Sequence, residues 1–251
     1  MSKFSIFRSI NRLVILPTTG FTLGYVSFMK TWPSEAGSMS LKDKLTGPGD
    51  NRLHLQRLDI ISKIQNDRFY KNFEEDTSVI YRRQSETLPK DHLPYHVGQG
   101  VLFGPGKLEI DPIIFHDEAD KSIVVFYHLG EGLGNENGNV HKGILSLLMD
   151  EALCYCGFPT LPNGRGVTAK LSLKFLNDLP VNSTIVLRAN VRETKGRKCI
   201  IDGTVESMPT KDWLRYLVGQ EKFKKGKIYA SAECILVEPK WFKYLKSLKI
   251  M

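Results

Sequence analysis

Residues 144–158 carry only two charges, Asp150 and Glu151, and Pro159 ends the run. A stretch of that length makes about four turns at 3.6 residues per turn. Its apolar residues are not confined to one stripe, so the predicted helix has no solvent face and needs enclosing on all sides. The following sequence supplies the enclosure. Residues 168–175 place Leu171, Leu173 and Phe175 on one face and Lys170, Ser172 and Lys174 on the other, the period-two pattern of a strand. Residues 185–191 and 199–205 alternate likewise around a turn at Lys195-Gly196-Arg197. Residues 228–237 close the series, with Ala230, Ala232, Cys234 and Leu236 on one side. A further strand-like run, 122–129, leads into the helix through a Gly/Asn-rich loop at 130–139. One curved antiparallel sheet wrapped around a single apolar helix satisfies this order. That is an α+β layer, not a doubly wound parallel sheet.

The remaining segments divide by composition. Residues 33–50 are rich in Pro, Gly, Ser and charge and read as a linker. Across 53–73, Leu53, Ile60, Ile61, Ile64 and Phe69 fit a helix packed along one face. Turn residues dominate 89–120, with short apolar pieces at 101–103 and 113–115, and an insertion at 209–226 is helical in pattern around Trp213, Leu214 and Leu217. The expected organisation is a targeting segment (1–40), a linker with a helical extension (41–100), the main domain (101–238) and a basic amphipathic tail (239–251).

A net charge of +8 invites a nucleic-acid reading until it is located. Lys3, Arg8, Arg12 and Lys30 against Glu35 put +3 in residues 1–40, and Lys240, Lys243, Lys246 and Lys249 put +4 in 239–251. The body between keeps only +1. Phosphate-backbone binding needs a basic face on a folded surface, so no nucleic-acid partner is expected. Four cysteines in 251 residues do not make a disulfide scaffold, which points to a reducing compartment. No acid appears before Glu35, and Phe4, Phe7, Ile10 and Val14 recur at helical spacing beside Arg8 and Arg12, the pattern of a mitochondrial presequence. Residues 13–29 are uncharged, however, and reach the lower limit for spanning a bilayer. A cleaved leader and a retained single anchor, holding the protein at the mitochondrial inner membrane, both stand at this point.

Two features carry chemistry. The Gly/Asn loop feeding the helix leaves free N–H groups near Lys142 and Gly143, and these donors with the positive end of the helix dipole suit an oxyanion or a polarised carbonyl. Asp150 lies inside the apolar helix, where a carboxylate is costly to bury without a partner or a task. A structural carboxylate capped by Asn or Thr is the plainer reading. Positions 142 and 150 lie eight residues apart, about 12 Å along the axis, so one carbonyl cannot touch both. If they share a site, the carboxylate comes from a second copy, and an isologous dimer follows. Cys154 and Cys156 point to opposite sides of the helix, and His116 and His128 lack ligand-like spacing, so no metal site is expected.

The run Asn135-x-x-Gly138-x-Val140-His141-x-Gly143, then Asp150-Glu151-Ala152 and Gly166-Val167-Thr168-Ala169, resembles the hotdog-fold acyl-CoA thioesterases. The most similar branch is the 4-hydroxybenzoyl-CoA thioesterase-like, phenylacetic-acid-pathway type. The likeness covers roughly 104–238 and includes Gly104-Pro105-Gly106-Lys107 and His128-Leu129-Gly130. It implies a hotdog fold that hydrolyses an acyl-CoA to free acid and CoA, with no cofactor, as a homodimer or a dimer of dimers. Asp150 is implied as general base or nucleophile and the Lys142 amide, beside Gly143, as the oxyanion donor. Asn135 and Thr168 are similar to side chains that hold the attacking water or the carboxylate, and His141 orients the loop. Arg197 and Lys198 stand near a turn where CoA phosphates or solvent could meet them. One departure matters: the family's His-Gly-Gly reads His141-Lys142-Gly143. A side chain now stands where backbone approaches substrate, so a binding protein that does not hydrolyse acyl-CoA or lipid is the rival expectation.

Overall fold

The computed structural model describes residues 55–211, 223, 224 and 226–242. The segment read as leader or anchor, the insertion around Trp213 and all but the first residues of the basic tail lie outside them. Among the described residues no helix is long and apolar enough to cross a membrane.

Strand β3 (Ser122–Leu129) explains how the layers stack. Its burial is nearly continuous because both faces of the sheet are covered. Ile123, Val125, Tyr127 and Leu129 turn to one face and pack on the central helix α3 (Lys142–Gly157). Val124 and Phe126 turn to the other and meet Ile60, Ile64, Phe69 and Tyr70 of α1 (Leu58–Gln65) and α2 (Arg68–Glu74). Successive residues thus serve two cores, as the pleat requires.

Seven antiparallel strands make the sheet, in the order β1-β2-β3-β5-β6-β9-β4. These are β1 (Val79–Arg83), β2 (Ile113–Asp117), β3, β4 (Val167–Phe175), β5 (Ser183–Lys195), β6 (Lys198–Ser207) and β9 (Ile228–Val237). The short pair β7 (Thr210–Lys211) and β8 (Phe223–Lys224) closes the base of the insertion. The hotdog architecture expected from the sequence is present: one large antiparallel sheet holds one apolar helix, with helices added at the N-terminal side. α3 lays Leu145, Leu148, Met149, Ala152, Leu153 and Cys156 into the sheet.

Three local expectations change. The single helix over 53–73 is two helices, because Asp67 caps a new start: its Oδ1 accepts from the Phe69 amide at 2.8 Å. The apolar piece at 113–115 is a full strand, and β1, not anticipated, pairs with it from Val79↔Asp117 to Arg83↔Ile113. The sheet therefore begins well before residue 101. The glycines of the Gly104-Pro105-Gly106-Lys107 and His128-Leu129-Gly130 runs meet each other. The Gly130 amide donates to Lys107 O at 2.7 Å, and a Cβ on Gly130 would sit 2.5 Å from the Gly106 carbonyl carbon. That backbone contact leaves no room for a side chain.

Candidate active site

The loop before α3 closes on itself. Asn135 Oδ1 accepts from the amides of Asn137 at 3.0 Å and Asn139 at 3.1 Å, while the Asn135 amide donates to Asn139 O at 2.7 Å. Gly138 takes a left-handed φ of +71° to make the turn. The Val140 amide donates to Leu179 O at 2.7 Å and tethers the loop to the chain entering β5. The Asn135 side chain, expected to hold a water or the carboxylate, thus spends its oxygen on its own loop within this chain.

His141 is the N-cap of α3, and its Nδ1 accepts from the Gly143 amide at 3.0 Å. The imidazole caps the helix start and occupies one of the two amides expected to face a substrate. No described residue accepts from the Lys142 amide. At the helix N-terminus the exposed donor is therefore that of Lys142, not Gly143. The Lys142 ammonium lies 5.7 Å from the centroid of the Phe175 ring at the end of β4.

Two turns on, Asp150 is half-buried where α3 crosses the start of β4. Thr168 Oγ1 donates to its Oδ1 at 3.0 Å. Cys154, one turn beyond, places Sγ 3.3 Å from Thr168 Oγ1 and 3.9 Å from Asp150 Oδ1. Cys234 of β9 comes up beneath them, and Asp150, Cys154 and Cys234 bring one oxygen and two sulfurs within 4.8 Å of one another. The neighbouring Cys234 thiol holds the Cys154 thiol below its ordinary value, while the Cys154 sulfur and burial raise that of Cys234. Cys154 is i+4 from Asp150, a spacing visible in the sequence. Cys234 joins only through the strand register, which pairs it with Leu171 of β4.

The other side of the Asp150-Glu151 pair faces the N-terminal layer. Burial pushes the Glu151 carboxyl up to about 7, against the lowering effect of hydrogen bonds from Gln84 and the Gly98 amide. His96 Nε2 stands 3.6 Å from Glu151 Oε1, and a Cβ on Gly98 would lie 2.8 Å from Oε2. No sequence signal near residue 151 announces this environment, because its partners are contributed by residues 84–99.

Arg197 and Lys198 stay apart from these groups. The Arg197 guanidinium donates to Glu238 O at 2.8 Å, so it fastens the β5–β6 turn to the end of β9. Lys198 is exposed and pairs with Val237, which pairs in turn with Val167. That puts Lys198 two strands, about 10 Å, from the residue next to Thr168. Beyond β4 no described strand pairs, although Leu171, Leu173 and Phe175 are only half-buried and Val167 is 47% exposed. An apolar edge of this kind is an unfinished surface.

Residues 137–212, which hold α3, β4, β5 and β6, match the family described as the thioesterase superfamily. MIOREX complex component 3 of Saccharomyces cerevisiae is 51% identical, over 97% of this chain and 96% of its own. The chain belongs to the thioesterase superfamily. An uncharacterized mitochondrial protein of Candida albicans is 38% identical, over 97% of this chain and all of its own. The acyl-coenzyme A thioesterase THEM4 of Rattus norvegicus is 28% identical, over 39% of this chain and 41% of its own. The superfamily match includes Lys142, Asp150 and Thr168 but starts two residues after Asn135.

Proposed function

We propose that the protein is a mitochondrial acyl-CoA thioesterase acting as a homodimer, with Asp150 as its acidic catalytic group. The observation that carries this reading is the Thr168–Asp150 hydrogen bond beside the open edge of β4. Two copies pairing their β4 edges about a two-fold axis run antiparallel. The Thr168 end of one strand then lies against the Phe175 end of the other. Lys142 belongs to the Phe175 end, so the partner's Lys142 amide approaches Asp150 across the axis. This removes the separation of about 12 Å that parts the two groups along one helix.

In this arrangement the thioester oxygen rests at the Lys142 amide, at the positive end of α3. Thr168 fixes Oδ1 of Asp150, and Oδ2 is the oxygen that would meet the water or the acyl carbon. The carboxylate takes a proton from water as the hydroxyl oxygen bonds to carbon, or attacks the carbon itself and is released by water afterwards. The C–S bond breaks, the electron pair leaves on sulfur, and the proton returns to give CoA as a thiol. Protein groups perform every step of this route.

The arginine-bearing, acid-poor N-terminal residues and the mitochondrial naming of the Candida relative support the compartment. In the same reading, residues 13–29 are either removed with the leader or retained as an inner-membrane anchor, and the mass of the mature N-terminus separates the two. The yeast relative's name as a complex component supports further protein partners. A second reading, binding of acyl-CoA without turnover, is favoured by Lys142, which adds a side chain at the superfamily's glycine position. Thiol release from aliphatic and aromatic acyl-CoAs, measured for wild type and Asp150→Asn, separates the two. Release by wild type that falls at least about a hundredfold in Asp150→Asn supports hydrolysis. Equal background release by both proteins, with CoA binding retained, supports the binding protein.

A further inference from the structure

The thiols and the carboxylate at the foot of α3 form a set that thioester hydrolysis does not require. Asp150 and Cys154 lie one turn apart on α3, and Cys234 comes from β9. Their Oδ and two Sγ atoms lie within 4.8 Å of one another, with Asp150 Oδ1 and Cys154 Sγ at 3.9 Å. Ligands around tetrahedral zinc stand about 3.6–3.8 Å apart, given metal bonds of about 2.3 Å to sulfur and 2.0–2.2 Å to oxygen. The set therefore has to contract only slightly to close on such an ion. Two sulfurs with one oxygen select a soft or borderline divalent cation over calcium or magnesium, which prefer all-oxygen shells. Thr168 Oγ1, 3.3 Å from Cys154 Sγ, stands beside the fourth position, where it can hydrogen-bond a bound water. The other two cysteines are excluded. Cys156 turns to the opposite side of the helix, where its thiol donates to Lys121 O at 3.4 Å, and Cys199, buried like Cys234, is not part of the group of ligand atoms that lie within 4.8 Å of one another.

We propose that Asp150, Cys154 and Cys234 bind one zinc-class divalent cation per chain, and that the bound cation withdraws Asp150 from catalysis. Binding displaces the two thiol protons into solvent, so two thiolates and one carboxylate face a charge of +2. The inhibitory consequence rests on the thioesterase reading, whereas the binding site does not.

The probe is Co2+ added to reduced full-length protein. The expected result is one equivalent bound per chain, with a near-ultraviolet thiolate-to-cobalt charge-transfer band and the visible bands of a tetrahedral ion, all bleached by added Zn2+. Cys154→Ser and Cys234→Ser each lose the charge-transfer band, whereas Cys156→Ser keeps it. Circular dichroism confirms that each variant is folded, and Cys154→Ser, half-buried, remains a usable variant if the core replacement at Cys234 unfolds the chain. Absence of the band in wild type overturns the proposal. So does a band that survives Cys154→Ser, or one lost equally in Cys156→Ser. In wild type, thiol release falls in step with Zn2+ occupancy and returns with a chelator, and release that persists at full occupancy overturns the inhibitory half. A protein that binds Co2+ in this way yet hydrolyses no thioester leaves the cation site standing and removes only the enzymatic reading.

Discussion

Thr168 donates its hydroxyl proton to Asp150 Oδ1 across 3.0 Å, tying the exposed edge strand to the central helix at the one place where that helix carries paired acids. The bond orients the carboxylate without covering it, since Thr168 itself is exposed. A neutral donor to a charged acceptor is worth about 1.5–3 kcal/mol. Thr168→Ala should therefore lower kcat/KM for acyl-CoA by about ten- to a hundredfold and lower Tm by several degrees. Thr168→Ser, which keeps the donor, should recover most of the loss. Steady-state thiol release across the three proteins checks this, and an unchanged rate in Thr168→Ala would remove Thr168 from the site.

The Lys142 amide can be deleted without cutting the helix. Lys142 is the first helical residue, a position where proline is well tolerated, and His141 before it has φ −62° and ψ 130°, a conformation that suits a residue preceding proline. Lys142→Pro removes the N–H and should cost about a hundred- to a thousandfold in kcat. Lys142→Gly keeps the N–H and clears the side chain, so it should match or exceed wild type. Equal losses in both variants would mean that the ammonium, not the amide, acts on the substrate.

Glu151 predicts a stability profile. Its carboxyl titrates at about 7 in the folded chain against an ordinary 4.5. Below pH 4.5 it is protonated in both states and its burial carries no charge penalty. Between 4.5 and 7 the unfolded chain ionises first, so this contribution to stability is lost as pH rises to the folded value. The full loss is at most about 3.5 kcal/mol, because each pKa unit corresponds to about 1.4 kcal/mol. Glu151→Gln retains an oxygen for the Gly98 amide and has no charge to bury. Its unfolding midpoint should exceed that of wild type at about pH 8, and the gap should close at about pH 4. Urea unfolding at both pH values tests this, and parallel pH dependences would clear Glu151.

The parts of the fold legible in sequence are those where one physical demand governs each residue. Strands β6 and β9 alternate because each has a helix-facing side and an outer one, β5 departs where Val186 enters the second core, and α3 stands out because it is enclosed. β2 was obscured because four of its five residues are buried, which erases alternation, and β1 because its polar half faces out. The break at Asp67 interrupts a helical pattern whose apolar spacing continues across it, so only the capping residue marks it. At the site, Asp150 is legible as a charge inside an apolar run, whereas its contact with Thr168 was implied only by resemblance. The fates of Asn135 and Gly143 depend on which backbone amide each neighbouring side chain captures, and composition does not encode that.

Gly130 tests the backbone contact between the 104–107 and 128–130 segments. A methyl group there would lie 2.5 Å from the Gly106 carbonyl carbon and 2.7 Å from its oxygen, both backbone atoms that cannot rotate away. Gly130→Ala should cost about 1–3 kcal/mol and lower Tm by several degrees, roughly 2–4 °C per kcal/mol for a chain of this size. Calorimetry of the variant measures it, and an unchanged Tm would show that the two segments separate freely.

Complementation decides whether the site is shared between copies. In a composite site Asp150 and the Lys142 amide come from different chains, so an Asp150→Asn homodimer and a Lys142→Pro homodimer are each defective in both of their sites. A heterodimer of the two is different: one site holds both lesions and the other holds none. If subunits exchange freely after an equal mixture is unfolded and refolded together, about half the dimers are heterodimers with one intact site of two, giving about a quarter of wild-type activity from two nearly inactive proteins. If both groups served the same chain's site, each heterodimer would carry one lesion in each of its sites and the mixture would stay near background. Sedimentation of the mixture verifies that dimers re-form, so the rate of thiol release distinguishes a carboxylate that faces its own helix start from one that faces its neighbour's.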